Sequence, residues 1–252
     1  MTAGPPDALV LVHAFPLDAR MWEPQLAALG GSVPLLAPHL PGFGGTEPAG
    51  DVLTMRAAAE RLLAELDRVG AERAVVCGLS MGGYVAFELW RMARERVGGL
   101  VLANTRAVPD TEEGAAARRA LADRLRSEGI AFLVADPPPL LSGRAPEELW
   151  ARVRRLIADQ DPDAVAAAAL GMAERPDSTP DLPGIDVPTL VITSNRDALI
   201  PPELSAPMAT AIPAASLEVL DDAGHLSNLE APEAFTRALV EHLERCGLLP
   251  AG

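Results

Sequence analysis

Ser80 stands in the stretch Val75-Val76-Cys77-Gly78-Leu79-Ser80-Met81-Gly82-Gly83-Tyr84, where an apolar run meets Gly-x-Ser-x-Gly and then a helical pattern. A serine on a tight strand-to-helix turn takes up strained backbone angles, and small residues at 78 and 82 keep neighbouring side chains from clashing there. Such a turn exposes the hydroxyl at the carboxyl edge of a sheet, beside a helix N-terminus that favours developing negative charge. That is the setting of a nucleophile attacking a carbonyl. A glycine-rich turn without chemistry is the plainer reading, and the strand before and helix after favour the nucleophile.

A serine needs a base, and the chain offers His13, His39, His225 and His242. His242 sits among arginine and glutamate in the last helical pattern and reads as surface. His39 lies in the loop Pro38-His39-Leu40-Pro41-Gly42-Phe43-Gly44 and reads as a satisfied loop residue. His13 ends the first strand, where a hydrogen bond to backbone is the ordinary expectation. His225 follows the last strand through Asp221-Asp222-Ala223-Gly224, which sets it at the same sheet edge as Ser80; reacting groups of open parallel sheets collect there. For the orienting acid, Asp197 follows the fifth strand in Thr193-Ser194-Asn195-Arg196-Asp197. Asp222 competes by proximity, although a residue three positions away on a tight turn more often caps local backbone. After the fourth strand the chain offers Asn104, no carboxylate.

The elements that must position these residues are legible as an alternation. Apolar runs at 9–12, 33–36, 74–77, 99–103, 189–192 and 217–220 read as strands, the second one weak. Helical patterns fill 21–29, 53–69, 79–94 and 232–246, with Gly70 stopping the second and Pro232 opening the last. Strand–helix alternation implies a parallel sheet with helices on both faces. The alternation breaks once. From 108 to 184 only helical patterns occur, at 113–127, 146–158 and 162–173, too long for a simple crossover. Leaving and rejoining the sheet at its carboxyl edge, this segment reads as a helical lid, with plain packing as the alternative. The expected organisation is one core, 1–107 and 185–252, with a cap at 108–184 inserted after the fourth strand.

Composition excludes much else. The 252 residues include 21 basic ones, every one an arginine. Without lysine there is no Schiff base and no phosphate-gripping ammonium. A net charge of −14 argues against nucleic acid, whose phosphates demand a clustered basic surface. Cys77 and Cys246 lie far apart with no ligand spacing, so neither a disulfide framework nor a zinc site is expected, and Cys77 reads as a small buried thiol. The N-terminal residues show no basic stretch before an apolar one, and no run approaches the roughly 20 residues of a membrane span. A cytoplasmic protein acting on a small molecule, without metal or cofactor, is the expectation, its oligomeric state open.

The chain resembles the α/β-hydrolase superfamily over nearly its whole length. The resemblance rests on Leu11-Val12-His13-Ala14-Phe15-Pro16, Pro41-Gly42-Phe43-Gly44, the turn from Gly78 to Gly82, and Val187-Pro188-Thr189-Leu190-Val191-Ile192 leading to Asp197. It continues in Ala223-Gly224-His225-Leu226-Ser227-Asn228. The order Ser80, Asp197, His225 is the one such enzymes use. The second half most resembles the 3-oxoadipate enol-lactonase and small bacterial carboxylesterase branch. The resemblance implies Ser80 as nucleophile, His225 as base, Asp197 as orienting acid, and the backbone N–H groups of Phe15 and Met81 as oxyanion hole. Ala14 replaces the usual glycine, which leaves the donor and narrows the turn; His39 replaces the usual acidic residue. The family's first antiparallel hairpin has no room before Leu9, so six parallel strands are expected. The implied reaction is hydrolysis of an ester or lactone through an acyl-enzyme. The same triad would also serve carbon–carbon cleavage, acyl transfer, perhydrolysis or a lyase step, and the same fold could serve as a binding protein. An aspartate nucleophile, as in a haloalkane dehalogenase, is disfavoured by Ser80. Apolar residues such as Trp150 or Met172 could line the pocket or form cap core.

Overall fold

The computed structural model describes residues 4–250. Its sheet has six strands: β1 (Ala8–Val12), β2 (Leu35–Leu36), β3 (Ala74–Leu79), β4 (Val97–Ala103), β5 (Thr189–Ser194) and β6 (Ala215–Leu220). They lie in the order β2-β1-β3-β4-β5-β6, each neighbouring pair parallel. Among the described residues no strand precedes Ala8. The four central strands are buried at every position, which accounts for their unbroken apolar runs. The edge strand β6 leaves Leu217 and Val219 partly exposed.

Helices follow the strands: α1 (Glu23–Leu29), α2 (Met55–Val69), α3 (Met81–Ala93), α4 (Glu112–Glu128), α5 (Ala131–Ala135), α6 (Glu147–Ala158), α7 (Pro162–Ala173), α8 (Pro202–Ala211), α9 (Ser227–Glu230) and α10 (Pro232–Arg245). Thr54 caps α2 by accepting from Ala57 N–H, and Gly70 ends it at φ 72°. The four helices α4 to α7 fall between β4 and β5, and α4 packs lengthwise on α7. The register sets Val12 beside Gly78, Leu79 beside Ala103, Ala103 beside Ile192 and Ser194 beside Leu220. The carboxyl ends of five strands therefore meet at one edge, and the residues just beyond them are neighbours.

Some elements differ from the sequence reading for identifiable reasons. The pattern at 21–29 is a 3₁₀ turn, Ala19–Trp22, running into α1; Pro24 has no N–H for the carbonyl four residues back, so the α-helix starts only at Glu23, with Pro24 in its first turn. The helix α8 hides in sequence behind Pro201, Pro202 and Pro207, although Pro202 at its first position is well placed. His242 is buried, not on the surface. It lies three residues after Leu239 and seven after Phe235, on the apolar stripe that α10 turns inward. The N-terminal leader reading rests partly on residues 1–3, outside the described residues. No described helix is long and apolar enough to cross a membrane.

Candidate active site

Ser80 joins β3 to α3 with φ 56° and ψ −112°, a conformation L-residues rarely occupy. Its backbone is fixed on both sides. Its N–H donates to Ala103 O at 2.9 Å, and its carbonyl accepts from Gly83 N–H at 2.9 Å and Thr105 Oγ1 at 2.8 Å. The two flanking glycines are steric requirements. A Cβ on Gly82 would sit 2.2 Å from Val12 O, and one on Gly78 2.2 Å from Gly82 O.

His225 and Asp197 arrive from the ends of β6 and β5. The His225 Nδ1 to Asp197 Oδ2 distance is 2.8 Å, with both residues buried. An ionised Asp197 holds the proton on Nδ1, leaving Nε2 free to accept one. The carboxylate is densely held: Leu199 and Ile200 N–H donate to Oδ1, each at 2.9 Å, and Asn104 Nδ2 donates to Oδ2 at 2.9 Å. Burial pushes the Asp197 carboxyl up, but the hydrogen bonds and charge of its partners outweigh it and leave the group below its ordinary range. Asp222 goes elsewhere. It is exposed, with φ 58°, and pairs with Arg196 and Arg144. Its side chain binds guanidinium groups, so the local-capping expectation is corrected, and among the described residues it makes no hydrogen bond with His225.

The backbone donors expected for an oxyanion, Phe15 and Met81, occupy the turn just beyond β1 and the first residue of α3. Among the described residues neither Phe15 N–H nor Met81 N–H is taken by a hydrogen bond. The turn before Phe15 is held from below. His13 Nε2 accepts from Leu40 N–H at 3.1 Å, and its Nδ1 lies 3.2 Å from Ala14 O. Complete burial pushes its pKa down to about 4, so it is a neutral strut. His39 Nδ1 accepts from Ala19 N–H at 3.4 Å.

A cavity of about 230 Å³ opens over these groups, lined by Phe15, Ser80 and His225 from the sheet edge and by Leu121, Leu140 and Met172 from the segment between β4 and β5. Met172 thus faces the cavity, whereas Trp150 lies elsewhere, beneath the Arg154 guanidinium. Larger hollows, such as one of about 760 Å³ between Glu203 and Leu217, are open and hold no serine–histidine pair. No cluster of three His, Cys, Asp or Glu among the described residues is placed to hold a metal.

Residues 9–238 match the family model described as the alpha/beta hydrolase family. The chain belongs to that family. It is 31% identical to 3-oxoadipate enol-lactonase 1 of Acinetobacter baylyi over 232 residues, 90% of this chain and 85% of that one. It is 33% identical to the pimeloyl-[acyl-carrier protein] methyl ester esterase of Aromatoleum aromaticum, covering 89% and 93% of the two chains. Among solved structures it superposes on a thermophilic esterase from Thermogutta terrifontis, solved with malate bound, at TM-score 0.92 and 42% identity, covering 97% and 92%.

In this alpha/beta hydrolase three contributors to the cavity region escape a motif search. Asn104, at φ 43°, donates to both Asp197 Oδ2 and Ser194 Oγ and accepts from Ser227 Oγ, tying β4, β5 and the His225 loop together. Its position just after β4 was the only signal in sequence. Arg106 and Arg118 also line the cavity. Nothing local marks them among 21 arginines.

Proposed function

We propose that this chain hydrolyses a carboxylic ester or lactone through Ser80, His225 and Asp197 by way of an acyl-enzyme. The observation that carries the reading is the buried His225, bonded at Nδ1 to Asp197 and sharing a cavity with Ser80 on its strained turn. Relatives named as an enol-lactonase and as esterases support the substrate class. In the reacting complex His225 Nε2 comes within about 2.6–3.2 Å of the serine Oγ and takes its proton as Oγ attacks the carbonyl carbon. The negative charge on the carbonyl oxygen is met by the N–H groups of Phe15 and Met81. Collapse expels the alkoxide, protonated by His225, and water, deprotonated by the same imidazole, then releases the acid. Asp197 holds the imidazole in its productive tautomer and stabilises its charged form. Residues 108–184 act as the cap, since Leu121, Leu140 and Met172 close the cavity from above.

The deciding experiment compares the wild type with Ser80→Ala on short p-nitrophenyl esters and simple lactones. Turnover in the wild type, lost in the variant, together with an acyl adduct on Ser80 in mass spectra of the quenched enzyme, is the expected result. Equal inactivity of both proteins across the panel defeats the reading.

A further inference from the structure

Three guanidinium groups gather on one side of the cavity around a single carboxylate. Asp110, whose side chain is almost wholly buried, pairs with Arg106 Nη2 at 2.6 Å, Arg118 Nε at 2.5 Å and Arg175 Nη1 at 2.9 Å. The three cations exceed their anion by two charges. Burial pushes the Asp110 carboxyl up, but Arg175 and Arg118 bring it well below the usual range, so it stays ionised. Arg175 is committed to structure. It is inaccessible, donates to the carbonyls of Met172 and Val108, and lies 4.1 Å from the centre of the Tyr84 ring.

Arg106 and Arg118 are different. Both line the cavity that holds Ser80 and His225, and each keeps about a fifth of its side chain accessible. Each spends one hydrogen bond on Asp110. Beyond that, Arg118 Nη1 reaches only the sulfur of Met172, at 3.5 Å, and Arg106 Nη1 and Arg118 Nη2 make no hydrogen bond among the described residues. Guanidinium N–H groups without a protein acceptor, on side chains that line a cavity, are satisfied there by water or by a ligand. No acidic side chain lines the cavity. Of the carboxylates behind its wall, Asp110 is shared among three guanidiniums, and Asp197 is taken up by His225, Asn104 and two backbone N–H groups. All this occurs in a chain of net charge −14, where an anion gains nothing from the long-range field and needs local cations.

We infer that Arg106 and Arg118 form an anion subsite, and that the substrate is an ester or lactone bearing a second, free carboxylate. The planar guanidinium fork matches a carboxylate. Leu121, Leu140 and Met172 suit a short apolar spacer between that carboxylate and the reacting carbonyl. A cavity of about 230 Å³ is below the usual range for drug-sized ligands, which fits a small acid ester. The inference rests on the hydrolase reading for the reacting carbonyl, whereas carboxylate binding is separable from turnover.

The test uses two ethyl esters of matched shape, monoethyl glutarate and ethyl 5-methylhexanoate, in which a carboxylate is exchanged for an isopropyl group. The wild type is expected to favour the anionic ester in kcat/KM by at least about 10-fold. Arg106→Gln and Arg118→Gln should each shrink that ratio by about 10- to 100-fold, the worth of a charge-assisted hydrogen bond. Arg106→Lys, keeping charge without the fork, should fall between. A wild-type ratio of one or less overturns the inference and leaves the hydrolase reading intact. Calorimetry with glutarate covers the remaining cases without turnover. Saturable binding to wild type and Ser80→Ala, weakened by salt and by Arg106→Gln, supports the subsite even if neither ester is cleaved. No binding to either protein overturns it.

Discussion

Asp222 lies three residues from His225 and Asp197 twenty-eight, and their surroundings, not their distance along the chain, separate them. Asp197 accepts from His225, Asn104, Leu199 and Ile200, whereas Asp222 is exposed and meets only arginines through its side chain. Asp197→Asn removes the negative charge and leaves an amide that stabilises the wrong imidazole tautomer. Its kcat should fall by about 10⁴-fold. Asp222→Asn should leave kcat within about a factor of two, and the reverse result would move the acid. Gly82→Ala tests the turn on different grounds, because its Cβ would press on Val12 O at 2.2 Å. Relief requires β1 and the start of α3 to separate, which would displace Phe15, three residues beyond β1, and Met81, the two proposed oxyanion donors. A kcat loss of about 10²-fold or more is therefore expected, since one oxyanion donor is typically worth that much. At this scale the sequence was most informative for chemistry set by local pattern. Ser80 declares itself through two glycines and a strand-to-helix change, and His225 through its place after β6. Asn104 does not, because its partners lie 90, 93 and 123 positions away, and Arg106 does not, because its pairing with Asp110 four residues on meets Arg118 and the cavity only in the fold.

Between residues and the whole molecule, Asp110 links elements. Its carboxylate holds Arg106 from the loop after β4, Arg118 from α4 and Arg175 from just beyond α7. It therefore fastens the helices over the cavity to the sheet edge beneath. Asp110→Asn would leave three guanidiniums facing one another with no anion. Loss of about 3 kcal/mol in urea unfolding is expected, the lower end for a broken buried pair, because Arg106 and Arg118 still reach solvent. The carboxyl stays ionised well below its ordinary range, so the stabilisation is present at neutral pH and should persist to about pH 4. Comparable stability of the two proteins at pH 7 would show that the cluster contributes nothing net. The helices themselves were legible: α7 is bounded by Asp161 and Pro162, a side-chain cap followed by proline at the first position. Their attachment was not, since it depends on charges brought together by β4 and α7 from distant parts of the chain.

Across the whole molecule, the parallel order β2-β1-β3-β4-β5-β6 turns an alternating pattern into a sheet whose four central strands are buried on both faces, and polar groups caught in or against it are costly. His13 and His242 are two such groups, on opposite sides of the chain's length and both almost fully buried. Burial pushes each down to about 4, with Arg245 adding to the effect at His242. In the unfolded chain both titrate near 6.5. From about pH 6.5 down to 4 the unfolded state takes up protons that the folded state refuses, so stability declines as pH falls through that window and is unaffected by these groups above it. The slope approaches about 1.4 kcal/mol per pH unit for each histidine. Asp110 and Asp197, held below their ordinary ranges, remain ionised in the folded state and add their own acid losses only as pH falls below about 4. Urea unfolding free energies measured from pH 7 to 4.5 should therefore decline, most steeply between about 6 and 5. His242→Leu keeps the apolar stripe of α10 and removes one proton acceptor from the unfolded state, so it should roughly halve that slope. An unchanged slope in the variant would mean that His242 takes its proton inside the fold, where the backbone of Leu100 on β4 and the Cys246 sulfur face it.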